Sequence, residues 1–461
     1  MSQHVANTRN ERIPLNCVDK CLVALDSINE PMLIHAVVLL DGDVDPAKLT
    51  KAILFAQEAH PVMKTIVRTR LFRTCREVSD IQGEVLTVRD LPDADETERE
   101  ACITEWLNRR LDPTRQLPVR VLFLRERSNA TTLVFTFHHT ATDGLRAVLF
   151  VRTIIESYND SLPEVPPSLA KVRMSRQGDE LLAFAHSQRS KVEQYYRKML
   201  SSILRRFVID FFRPPTRAYH DRSGRSKELS LVYETLDPQK LGLVESNART
   251  AGVELNDLLL AACYRVVDDW NREHGRPVNR VRIMAPVNIS PKGFRSIVSN
   301  QASWLSITTT PEERADPEKL LKRVREHSVM AIRDRIPFSL VYFFYFCSRF
   351  PLFVMRWMCI FLMVTRTYVD TILITNLGLT WPQPGTDEPA ITHIGSARIV
   401  NAVGSAPVVT PMGLSISVGI YNRHLNISLT YRPGMFSKEK ARSFLDMYVR
   451  EILSYGSGAT S

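Results

Sequence analysis

His138-His139-Thr140-Ala141-Thr142-Asp143-Gly144 follows the apolar run Leu133-Val134-Phe135-Thr136-Phe137 and leads into a helical pattern at Leu145, Val148, Leu149, Arg152 and Ile155. The stretch reads as a strand end, a short turn and a helix start. Neighbouring side chains on a strand point to opposite faces. One histidine can therefore be packed while the other faces a cavity. Imidazole is the side chain best matched to proton transfer near neutral pH. Asp143 is placed to cap the following helix, and Gly144 to allow a close backbone turn. A single histidine in such a turn would be read as packing. The ordered set of two histidines, an acid and a glycine at a strand-to-helix junction points to a reactive site.

Outward from this stretch, strands and helices alternate. Residues 33–40 form an apolar run ended by Asp41-Gly42-Asp43; 46–56 reads as a helix and 62–67 as a strand. Residues 119–124 and 131–137 look like a hairpin through Ser128-Asn129-Ala130. Pro163 to Pro167 breaks the chain, and a helix carrying Leu181, Leu182, Phe184 and Ala185 runs on to about 204. The second half alternates again. Glu254 or Asn256 caps a helix, Val281, Ile283, Ala285 and Val287 alternate as a strand, and Asp316-Pro317 opens a helix to about 335. Residues 372–375 form a short strand, 414–421 and 424–431 a hairpin around Asn422-Arg423, and Ser437 caps a final helix.

A chain of 461 residues exceeds one ordinary core, so two domains are expected. The expected division is an N-terminal subdomain over 1–195, a basic crossover over 196–228 and a C-terminal subdomain over 229–461. The fold class is α/β, as two-layer α+β sandwiches. A hydrophobic fraction of 44% and a charged fraction of 24% are those of a globular protein. The formal charge of +10 points to an anionic partner. Nucleic acid is not expected, because no recognised module accompanies the basic residues. The seven cysteines are odd in number and scattered, which fits a reducing compartment and no disulfide framework. Cys17 and Cys21 lack a nearby Cys/His pair, so no metal site is expected. The N-terminus lacks the apolar core of a signal peptide, and a cytoplasmic location is expected.

The residues permit acyl transfer. Gly-x-Ser-x-Gly does not occur, so direct attack by an acceptor on a thioester fits better than an acyl-enzyme. His139 is then the general base, His138 supports the loop, and Asp143 and Gly144 fix its geometry.

At these residues the chain resembles the superfamily of condensation domains and CoA-dependent acyltransferases, whose mark is His-His-x-x-x-Asp-Gly. Ile13-Pro14-Leu15 with Asp19, Pro31-Met32 and His60-Pro61-Val62 are similar to the opening of its bacterial wax ester synthase/diacylglycerol acyltransferase group and of alcohol acetyltransferase-type members. Asn256 to Ala262, Pro286-Val287-Asn288, Ser299-Asn300 and Thr375-Asn376-Leu377-Gly378 resemble second-half segments. The resemblance implies two chloramphenicol-acetyltransferase-like subdomains forming a V-shaped pseudo-dimer around a central channel. It implies that donor and acceptor meet at His139. The donor would be acyl-CoA or an acyl-phosphopantetheine carrier protein, used as co-substrate with no permanently bound cofactor. Asn300, Ser303 and Asn376 are candidates for lining the channel or serving as an oxyanion site. Many members place arginine just after Pro-Val-Asn, where it pairs with the motif aspartate. This chain has Ile289-Ser290-Pro291 and reaches arginine only at Arg295, which leaves the partner of Asp143 open.

The long apolar run 338–364 is interrupted by Arg349 and Arg356 and broken by Pro351. That argues against a simple membrane span. It fits core helices, helices flanking an acyl tunnel, or helices resting on the inner face of a membrane. Residues 203–213 mix large apolar residues with arginine in the same way. The expected function is transfer of an acyl group from acyl-CoA to a lipophilic alcohol. The alternatives are condensation on carrier-bound substrates, with partner modules acting in trans, and a non-catalytic binding protein.

Overall fold

The computed structural model describes residues 12–70, 73–79, 84–91, 95–126, 130–160, 204–224, 226–290, 298–367, 369–381 and 390–455. The expected proline break at 163–167, the helix around 181–204 up to residue 203, and Arg295 lie outside them.

Strands β2 (Leu33–Asp41), β5 (Leu86–Leu91), β6 (Val119–Glu126) and β7 (Ala130–His138) build the first of two six-stranded sheets. Their register is antiparallel except for the parallel β5–β6 pair. Alternation sorts β7 onto two faces. Leu133, Phe135 and Phe137 pack under helices α2 (Pro46–Ala59) and α4 (Gly144–Tyr158). Val134 packs under Trp106 of α3 (Glu96–Asn108), whose indole donates to Thr136 Oγ1 at 3.0 Å. His138 falls on this second face. A small antiparallel sheet of β1 (Arg12–Pro14), β3 (Thr65–Arg70) and β4 (Arg73–Val78) sits beside helix α1 (Cys17–Ser27). The expected strand over 62–67 starts later, because Pro61–Lys64 closes a turn of 3₁₀-helix first.

The second six-stranded sheet runs in the order β10-β9-β11-β14-β15-β8. Its strands are β8 (Ser230–Leu236), β9 (Val281–Asn288), β10 (Ala302–Thr309), β11 (Ile372–Leu379), β14 (Leu414–Tyr421) and β15 (His424–Tyr431). The β14–β15 turn places Asn422 and Arg423 at φ 46° and 58°, as a two-residue hairpin requires. Helices α5 (Pro238–Thr250), α6 (Leu255–Glu273), α7 (Pro317–Arg333) and α10 (Lys438–Ser454) cover this lobe. Glu254 caps α6, and Asp257 returns the bond by accepting from Glu254 N at 3.3 Å. The run 338–364 is two helices, α8 (Ile336–Cys347) and α9 (Leu352–Val364), separated at Pro351. No helix among the described residues is long and apolar enough to cross a membrane.

The division at residue 229 is not respected by the sheets. Strands β12 (His393–Ile394) and β13 (Ala397–Ser405) come from the C-terminal half, yet β13 pairs antiparallel with β2 and extends the first sheet. The unit 229–461 therefore contributes two strands to its partner lobe. Glu30, Arg432 and Lys227 add a buried ionic tie between the halves. Arg432 Nη2 lies 2.6 Å from Glu30 Oε2, and Lys227 Nζ lies 2.8 Å from Glu30 Oε1.

Candidate active site

The end of β7 is clamped before any chemistry is considered. His138 N donates to Pro118 O at 2.9 Å and His139 N to Met32 O at 2.7 Å. His138 is fully buried. Its Nδ1 lies 2.9 Å from Thr140 Oγ1 and its Nε2 lies 3.4 Å from Asp26 Oδ1. These contacts tie the imidazole to the turn at Thr140 and to Asp26 of α1. A cavity of about 230 Å³ opens on this side, where Asp26 and Leu33 meet Arg110, Lys227 and Leu229.

His139 is half-buried, and its hydrogen bonds fix its tautomer. Nδ1 lies 2.9 Å from the carbonyl oxygen of Thr142, which can only accept, so Nδ1 carries the proton and donates. In the neutral ring the lone pair then sits on Nε2, which is the tautomer a general base needs. Among the described residues no protein atom hydrogen-bonds Nε2.

Asn300, from the other lobe, completes the hold. Its Nδ2 donates to Asp19 Oδ1 at 2.7 Å and also to the carbonyl oxygen of His139. Its Oδ1 is thereby turned towards His139 Nδ1, at 3.1 Å. Asp19 in turn pairs with Arg76 Nη2 at 2.9 Å, and the same guanidinium donates to Thr140 O. Complete burial pushes the Asp19 carboxyl above its usual range, against the pull of Arg76, Asn300 and His139. Asn16 caps α1 by accepting from Asp19 N at 2.7 Å, and this sets Asp19 at the helix start.

Asp143 also has one oxygen for each lobe. Oδ1 caps α4 by accepting from Arg146 N at 3.0 Å, and Oδ2 accepts from Gln301 N at 2.7 Å. The partner left open by the sequence is thus, in part, a backbone amide next to Asn300. Position 289, where an arginine was looked for, is buried and packs with Cys17, Val18 and Val341. A cation crosses the junction in the opposite direction: buried Arg146 of α4 donates to Ser290 Oγ and, at 3.2 Å, to Gln301 Oε1.

Two of the three channel candidates, Asn300 and Ser303, are buried and spent on other bonds, and the third, Asn376, is half-buried in a local turn. Asn300 is buried behind the ring, where it orients His139 rather than lining a channel. Ser303 is buried and spends its hydroxyl on Pro337 O at 2.8 Å, tying β10 to α8. Asn376 accepts from Gly378 N at 2.9 Å in a local turn, with Gly378 at φ +62°. Gly144 approaches β11 closely: a Cβ there would stand 3.0 Å from Leu377 Cδ2.

Asp19, Arg76, Arg146 and Gln301 were not singled out as site residues. Arg146 carried a readable signal: it lies four residues before Phe150 on the buried stripe of α4, where an unpaired guanidinium would be costly.

The family model of the condensation domain matches residues 25–343. Uncharacterized proteins of two Mycobacterium tuberculosis strains are 26% identical over 196 residues, which is 41% of this chain and 42% of each of them. A probable non-canonical nonribosomal peptide synthetase, CymA, of Salinispora arenicola is 26% identical over 166 residues, covering 34% of this chain and 2% of that protein. The matches thus span less than half the length of these relatives. The first condensation domain of the calcium-dependent antibiotic synthetase, in complex with a substrate analogue, superposes with a TM-score of 0.68 at 14% identity over 98% of both chains. SgcC5 of Streptomyces globisporus superposes with a TM-score of 0.62 at 17% identity, over 96% of this chain and 98% of that one. At these identities the likeness concerns the fold: two lobes built on curled sheets.

Proposed function

The chain belongs to the condensation-domain family, and from that premise we propose that it transfers an acyl group from a thioester to a nucleophilic acceptor, with His139 as general base. The observation that carries this reading is the pair of acceptors on Nδ1, Thr142 O and Asn300 Oδ1, which select the neutral tautomer with its lone pair on Nε2. As the acceptor amine or hydroxyl attacks the thioester carbonyl, Nε2 takes its proton. The tetrahedral intermediate collapses by breaking the C–S bond, and the proton passes from His139 to the leaving thiolate. The imidazolium formed on the way is steadied by the carbonyl of Thr142 and, through Asn300, by the Asp19 carboxylate. The donor is an acyl group on the phosphopantetheine arm of a carrier protein, which the likeness to synthetase condensation domains supports. An acyl-CoA donor with a lipophilic alcohol acceptor is the second reading. It is favoured by the exposed apolar faces of residues 204–212 and α9.

The test offers the purified protein acyl-carrier thioesters with amines and, in parallel, acyl-CoAs with alcohols, and follows free thiol release. His139→Ala should lower the productive rate by about 100- to 10,000-fold with an unchanged unfolding midpoint. Equal turnover by both proteins would remove His139 from the chemistry. The productive arm chooses between the two donors.

A further inference from the structure

We infer that the surface formed by the helix over 204–212 together with α9 docks on an anionic lipid bilayer. This rests on the surface itself and holds whichever acyl donor is used. The helix over 204–212 is held by two polar residues, Arg206, which donates to Asp370 Oδ1 at 3.1 Å, and Asp210. Asp210 is fully buried and accepts from Arg282 Nη1 at 2.6 Å and from Arg280 Nη2 at 3.2 Å. The opposite face carries Leu204, Val208, Phe211 and Phe212, spaced i, i+4, i+7 and i+8, and all are exposed, Phe212 at 75%. On α9, Phe353, Trp357, Phe361 and Val364 form a second exposed stripe at helical spacing, with Trp357 at 70%. Phe207 stacks on Phe361 with ring centroids 6.1 Å apart and planes 18° from parallel, which joins the two stripes into one face.

Charge selects the occupant. Arg205, Arg213, Arg349 and Arg356 are exposed on or beside these helices, and among the described residues none of them forms an ion pair. The only carboxylate on either helix is the buried Asp210. Arg349 is hydrogen-bonded to Tyr345 Oη at 2.9 Å and Arg356 to Ser27 Oγ at 2.6 Å, but an apolar face edged by exposed guanidinium groups without carboxylate partners matches lipid phosphates above and acyl chains below. A second copy would fit poorly, because a two-fold contact through this face would bring arginines against arginines. At 13 residues α9 is about 20 Å long, short of the roughly 30 Å hydrocarbon core, so it would lie in the interface rather than cross it.

The full chain is floated with vesicles of phosphatidylglycerol and phosphatidylcholine, and with phosphatidylcholine alone, while tryptophan emission is recorded. Trp357 reports well because it is 70% exposed, whereas Trp106, Trp270 and Trp381 are buried and Trp304 is half-buried against Phe344. Association with the anionic vesicles, a blue shift that Trp357→Phe removes, and weakening by salt are expected. Phe212→Glu with Trp357→Glu should lower the bound fraction about tenfold or more at an unchanged unfolding midpoint. Any of three outcomes overturns the inference: no flotation with anionic vesicles at low salt, binding unaffected by the double substitution, or a dimer in sedimentation that the same substitutions dissolve and vesicles do not displace.

Discussion

The junction around His139 and the outer face of residues 204–212 and α9 use arginine in opposite ways. At the junction each guanidinium is buried and committed. Arg76 holds Asp19 and the turn carbonyl of Thr140, Arg146 reaches Ser290 and Gln301 across the lobes, and Arg432 grips Glu30. On the outer face the arginines are exposed, and large apolar side chains stand beside them. The formal charge of +10 is therefore not a single basic patch. Buried arginines fix where one lobe sits on the other, and those of the outer face have no carboxylate partner among the described residues.

That contrast can be broken by substitution. The largest effect is expected for Arg432→Met, which leaves Glu30 buried without its main cation and should cost about 3–5 kcal/mol in chemical denaturation. A loss near zero would mean that the halves are held by sheet pairing alone. Asp143→Ala removes the α4 cap and leaves Gln301 N without its acceptor. About 1–3 kcal/mol should be lost, together with a fall in kcat, because Gln301 adjoins Asn300. The effect of His35 is smaller at any working pH. Burial beside Arg120 lowers its pKa from 6.5 to about 3, so the folded state keeps it neutral where the unfolded chain takes up a proton. Its contribution is complete above pH 6.5 and shrinks as pH falls towards 3, by roughly 1.4 kcal/mol per unit. Unfolding midpoints at pH 7 and pH 5 should differ less in His35→Leu than in the wild type. The smallest effect belongs to the outer face, where Phe212→Glu with Trp357→Glu should move stability by no more than about 0.5 kcal/mol.

What could be read in the sequence was local. The strand-turn-helix around His138 and His139, the caps at Asp143, Asp316 and Ser437, and the hairpin at Asn422-Arg423 are each specified by residues a few positions apart, and all are present. Contacts between distant segments could not be read. Asn300 looked like a channel residue because nothing in its own neighbourhood shows that Asp19 and His139, 281 and 161 positions away, both use its amide. Ser303 misled for the same reason: its partner is a carbonyl 34 residues later. Strand β13 escaped because its alternation is broken by the register shift between Ile399 and Asn401.

The pairing of β13 with β2 sets an order of events during synthesis. The ribosome completes β2 by residue 41, but the strand that covers its free edge ends at residue 405. At roughly 5–20 residues per second, that edge waits about 20–70 seconds for its mate. A nascent N-terminal half thus offers unpaired amides and carbonyls to any extended peptide nearby. Separately expressed halves would inherit this hazard, and reuniting them would require the late segment to find β2 before another copy does.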